Sequence, residues 1–169
     1  MSTATHDRFS SLIHAVHRYL GLTLPLGWIA DAGMAARSDI EVEGIAFSLL
    51  YDPSVDPGRL RMQCDLGDPA TPPVPRQEDL LVRMLELNFV LTLQQRGTCF
   101  GIDPDSGRAV CVIDGDLDAI EAEALVSSLR AAVELASQWR CHGLLDDMAY
   151  EGIGLQGAMR ADDLVHQRI

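Results

Sequence analysis

Residues 79–118 read DLLVRMLELNFVLTLQQRGTCFGIDPDSGRAVCVIDGDLD, and their periodicity decides the fold. From Glu78 to Gln94, Leu80, Met84, Leu87 and Leu91 follow the 4-3-4 spacing of one helical face. A second apolar stripe, Leu81, Leu85, Phe89 and Leu93, runs beside the first. A helix that is apolar on two faces must be covered on both, one by the chain's own sheet and the other by further chain or a second subunit. Glu78 and Asp79 suit the positive end of the helix dipole, and Gly97 supplies a stop. Beyond it, Cys99 to Asp103 and Ala109 to Ile113 are β-prone, and Pro104-Asp105-Ser106-Gly107 between them is turn chemistry, so a hairpin follows the helix.

Upstream, Phe9, Leu12, Ile13, Val16 and Leu20 place one apolar stripe on a first helix from Asp7, closed by Gly21 and Pro25. The signal between Leu22 and Ile40 is mixed, with Trp28 and Ile29 as the expected start of a weak first strand. From Ile45 to Tyr51 the alternation of Ile45, Phe47, Leu49 and Tyr51 marks a half-buried strand. After the turn at Asp52 to Gly58, Leu60, Met62, Cys64 and Leu66 alternate strictly with polar residues and mark an antiparallel partner. Gly67 to Pro75, with four prolines, is a stiff connector. Downstream of the hairpin, Ile120, Leu125, Leu129, Ala132, Val133, Ala136 and Trp139 give a last long helix its apolar face, with Asp116, Asp118, Glu121 and Glu123 at its N-terminal end.

The expected architecture is α+β: a twisted antiparallel sheet of about five strands flanked by three helices, in the order α-β-β-β-α-β-β-α. Residues 1–140 form the domain. Residues 141–169 form a tail without clear periodicity, partly mobile, in which a short helix near Met159 to His166 is conceivable.

Composition excludes several functions. At 169 residues and 47% hydrophobic, the chain suffices for one domain burying roughly 70% of its unfolded surface. Thirteen basic residues, all arginine, stand against 25 acidic ones, for a net charge of −12. That balance disfavours nucleic acid and anionic membranes, which are recognised through concentrated positive charge. Without lysine, neither Schiff-base chemistry nor a Walker loop is available. No signal peptide and no apolar run long enough to span a bilayer appears, so a cytoplasmic protein is expected. Cys64, Cys99, Cys111 and Cys141 form no CxxC pair and read as reduced, mostly buried thiols rather than disulfides or a zinc site.

Candidate sites for chemistry fail on spacing. His14 and His17 lack a third ligand nearby. Neither Asp103 nor Asp114 starts a calcium loop, because Arg108 and Ala119 stand where the glycine is required. None of the G-x-S-x-G, G-x-G-x-x-G and H-E-x-x-H motifs occurs. Glu86 and Asn88 interrupt the apolar surface of the central helix, and a polar edge or interface hydrogen bond explains them better than a catalytic pair. No enzyme, cofactor or metal is expected.

The element order, together with Leu80-Leu81 through Leu87-Asn88-Phe89, Phe100-Gly101-Ile102-Asp103-Pro104 with Gly107, and a closing helix ending in Ala136-Ser137-Gln138-Trp139-Arg140, resembles the type III secretion chaperones of the Tir-chaperone (CesT-like) family. The resemblance covers Phe9 to Arg140. It implies a non-enzymatic bacterial cytoplasmic protein, dimeric through its second helix. Such a protein holds the extended N-terminal chaperone-binding segment of a secreted effector in secretion-competent form, without nucleotide hydrolysis, and hands it to components of a secretion apparatus. Under that reading, Phe9, Ile13 and Val16 with Phe47, Leu49, Leu60 and Met62 are the expected effector-binding positions. Leu80, Met84, Leu87 and Leu91 are the expected dimer interface. The alternatives are an adaptor dimer for a folded partner and a small-ligand-binding domain, for which no convergent polar set is visible.

Overall fold

The computed structural model describes residues 2–24, 34–69, 77–93 and 97–142. Eight elements follow one another: α1 (Ser2–Leu20), β1 (Ala36–Val42), β2 (Ile45–Tyr51), β3 (Arg59–Gly67), α2 (Gln77–Leu93), β4 (Thr98–Ile102), β5 (Ala109–Asp116) and α3 (Ala122–His142). This is the expected α+β order. The strands form one antiparallel sheet ordered β1-β2-β3-β5-β4.

Strand β1 falls at the end of the stretch whose sequence signal is mixed. It lies at Ala36–Val42, whereas the expected start near Trp28 and Ile29 falls outside the described residues. Its inward positions are Ala36, Ser38, Ile40 and Val42, against outward Arg37, Asp39 and Glu41. Two of the four inward side chains are too small or too polar to register as an alternating apolar pattern. A two-residue turn, Glu43-Gly44, with both residues at positive φ, joins β1 to β2, the conformation that a tight hairpin demands.

The register produces continuous rows across the sheet. Ile40, Phe47, Cys64, Cys111 and Phe100 stand opposite one another on the inner face. Asp39, Ser48, Gln63, Val112 and Cys99 do the same on the outer face. Helices α1 and α3 pack together against the inner face. Trp139, 1% exposed, and the stacked rings of Phe9 and Tyr51, 5.5 Å between centroids, fill the space beneath them. Arg8 ties α1 to the turn that leads into α3, donating to the Ile120 carbonyl at 2.6 Å and to Glu121 at 3.0 Å. Asp116 closes the turn before α3 by accepting from the Asp118 backbone N–H at 2.9 Å.

Among the described residues, the outer face carries ion pairs. Asp114 receives both Arg59 and Arg61, and Asp65 receives Arg108. Gly97, at the entry to β4, approaches the Asp114 backbone so closely that a Cβ there would lie 2.9 Å from the carbonyl oxygen. Helix α3 runs to His142, so the expected tail and its short helix lie outside the described residues, as does most of the proline-rich connector.

Candidate functional site

Helix α2 is the feature that the fold leaves incomplete. It packs beside the edge strand β4, burying Leu80, Met84, Leu87 and Leu91 at 1–3% exposure within the single core cluster. These four positions were expected to meet a second subunit; within the single chain they lie in its own core. The second stripe has no such cover. Leu81, Leu85, Phe89 and Leu93 are 42–69% exposed, and Val82 and Val90 widen the patch. An apolar surface of this extent on a folded domain marks an interaction site.

Asn88 fixes α2 to the sheet. Its Nδ2 donates to the Phe100 carbonyl at 2.8 Å, and its Oδ1 accepts from the Phe100 N–H at 2.7 Å. The side-chain amide thus replaces a neighbouring strand along that part of the free edge of β4. The opposite edge, β1, pairs only with β2 among the described residues.

The seven expected effector-binding positions occupy a different place. Phe9, Ile13, Val16, Phe47, Leu49, Leu60 and Met62 are all 0–2% exposed. They are brought together, but as the centre of the core between α1 and the sheet. Periodicity finds apolar positions and cannot separate an inward position from a pocket wall, which is why the sequence selected them. An accessible hollow lies instead at the β1 and β2–β3 end of the outer face. Its volume is about 330 Å³, with Leu50, Val55 and Ala35 among its apolar lining and Asp52 and Asp56 at its rim. Hydrogen bonds from the backbone and hydroxyl of Ser54 hold Asp52 below the usual carboxylate range, so it is anionic at neutral pH.

The described residues offer little chemistry. Among them no cluster of three or more potential metal ligands occurs. All four cysteines are free thiols, with Cys64 and Cys111 buried and Cys99 and Cys141 exposed. Burial pushes the Cys64 thiol up to about 12 and raises Cys111 well above its usual value, which removes both as nucleophiles.

A family model described as the Tir chaperone protein (CesT) family matches residues 44–140, from the β1–β2 turn to the end of α3. The chain belongs to this family. No curated protein matches it in sequence. Its fold is similar to a chain of the ExsC–ExsE complex, with a TM-score of 0.62 at 15% identity, covering 85% of this chain and 98% of that one. It is also similar to a chain of the HopA1–SchA chaperone–effector complex, with a TM-score of 0.55 at 20% identity, covering 81% and 96%. The matched segment contains α2, the hairpin β4–β5 and most of α3, so the exposed stripe and the Asn88 clamp both fall inside it.

Proposed function

We propose that this CesT-family protein is a cytoplasmic type III secretion chaperone. It binds the N-terminal chaperone-binding segment of a secreted effector in extended form and keeps it soluble and secretion-competent, with no nucleotide hydrolysis. The observation that carries the proposal is the family match over 44–140, supported by a fold similar to one found in a chaperone–effector complex. The acidic balance of 25 to 13 suits it to soluble work and to basic client segments.

The working unit is a homodimer in which the outer stripe of α2, Leu81, Leu85, Phe89 and Leu93, meets its counterpart. Pairing like with like around a two-fold axis is the commonest way to bury such a patch. Among the described residues a client then has the edge of β1 that no other strand pairs, which can accept a backbone ladder, and the hollow beside Leu50 and Val55, which can take an apolar side chain. No helix among the described residues is long and apolar enough to cross a membrane.

Co-expression with the product of the adjacent gene tests the reading. The expected result is a stable complex that survives trimming of the client to its N-terminal segment, with that segment protease-sensitive alone and protected when bound. A complex that requires a folded client domain, and persists when the N-terminal segment is deleted, would establish an adaptor instead.

A further inference from the structure

Hydrophobicity does not tell α2 which way to face. The inner stripe is Leu80, Met84, Leu87 and Leu91, and the outer one is Leu81, Leu85, Phe89 and Leu93. Successive residues are about 100° apart around a helix, so rolling α2 by roughly that angle exchanges one set of four large apolar residues for another. The area removed from water would change little. The choice between two nearly equal faces therefore falls to a directional contact.

We infer that Asn88 is the positioning residue that selects which face of α2 is presented to a partner, through its paired hydrogen bonds to the Phe100 backbone. Asn88 sits on the flank of the inner stripe, half-buried, and meets both polar groups of one edge residue of β4. A roll in either direction breaks both bonds at once and leaves the N–H and carbonyl of Phe100, itself 4% exposed, facing apolar side chains. The neighbouring Thr92 lacks this selectivity, because it bonds back to its own helix at Asn88 O and turns with it. The same amide occupies the β4 edge at Phe100, which discourages strand addition there and leaves β1 as the open edge among the described residues. The inference rests on the proposed α2 interface for its functional meaning, but the clamp itself can be tested without it.

The experiment uses the full chain carrying Cys99→Ser and Cys141→Ser, both at exposed positions, with Met84→Cys as a reporter on the inner stripe and Cys64 and Cys111 as internal standards. With Asn88 present, the introduced thiol should react with a soluble thiol reagent as slowly as Cys64 and Cys111. With Asn88→Leu, it should react at least about tenfold faster while the two standards remain slow, and the dimer dissociation constant should rise at least about tenfold, the scale of one lost hydrogen-bond pair. Asn88→Asp keeps the acceptor for the Phe100 N–H and loses the donor, so its rate should fall between the two. An introduced thiol that stays as slow as the standards would overturn the inference. So would three thiols that accelerate together, since Asn88 would then contribute only to global stability. If the Asn88-containing chain is monomeric yet Asn88→Leu still frees the reporter alone, the clamp stands and the interface reading falls.

Discussion

Helices α1 and α2 have similar lengths and opposite surfaces. The outward positions of α1 are Asp7, Ser11, His14, Arg18 and Tyr19, so four of five are polar and the helix ends at water. The outward positions of α2 include Leu81, Val82, Leu85, Phe89, Val90 and Leu93. Helix α3 follows α1, with Glu123, Ser127, Arg130, Glu134 and Gln138 exposed. Two of the three described helices thus complete the fold of one protomer, and the third is built as though its surroundings extended beyond that protomer. The lesson is that burial within a protomer and burial within an assembly leave the same apolar signature in sequence. Only the fold separates them.

The comparison can be broken most directly by truncating one side chain from each stripe of α2. Leu87→Ala opens a cavity in the core and should cost about 2–5 kcal/mol in urea unfolding, whereas Leu85→Ala, measured at concentrations where the protein is monomeric, should fall within about 0.5 kcal/mol of wild type. Equal losses at the two positions would mean that the stripes are not distinct. The same contrast predicts the outcome of Leu87→Glu. A charge at this 2%-exposed position should unfold the protomer rather than dissociate a dimer.

Acid should act through α1. His17 is buried on α1, and desolvation, with a smaller contribution from neighbouring His14, lowers its pKa below the ordinary 6.5, against a backbone hydrogen bond involving Thr23 that raises it. The unfolded chain therefore binds more protons than the folded one once pH drops below the ordinary value. Stability is full above that value and declines as pH falls through it toward the folded pKa. The urea midpoint should fall between pH 7.5 and pH 5.5, and His17→Asn should flatten that dependence. A pH-independent midpoint in the wild type would show that His17 is not charged on unfolding.

The smallest expected effect lies outside both helices. Glu43 adopts φ 53° in the β1–β2 turn, a region costly for a side chain with a Cβ. Glu43→Gly should stabilise the domain by about 0.5–1 kcal/mol in thermal unfolding, with no change in molecular mass. Destabilisation would mean that the glutamate side chain holds the turn by contacts of its own.

Much of this was legible in the sequence because its signals were local. The periodicity of Leu60 to Leu66, the Pro104 to Gly107 turn and the stripe through Trp139 each specify an element without knowledge of the others. Strand β1 escaped because Ala36 and Ser38 face inward, and their small side chains blur the alternation. The site was less legible for a different reason. Two stripes on α2 were visible, but their assignment depends on one amide reaching a backbone twelve residues away, and side-chain-to-backbone contacts have no period. Phe9, Phe47, Leu49 and their neighbours looked like pocket walls for the same reason that they are core: both are apolar positions on inward faces.

The central claim is that the outer stripe of α2 is a subunit interface. Light scattering on the wild type and on Phe89→Glu tests it most directly, with circular dichroism to confirm that both are folded. The account predicts a wild type at twice the chain mass and a folded Phe89→Glu at the single-chain mass, a loss of about 2 kcal/mol or more in association. A wild type at the single-chain mass, or a Phe89→Glu chain that remains fully dimeric, would contradict it.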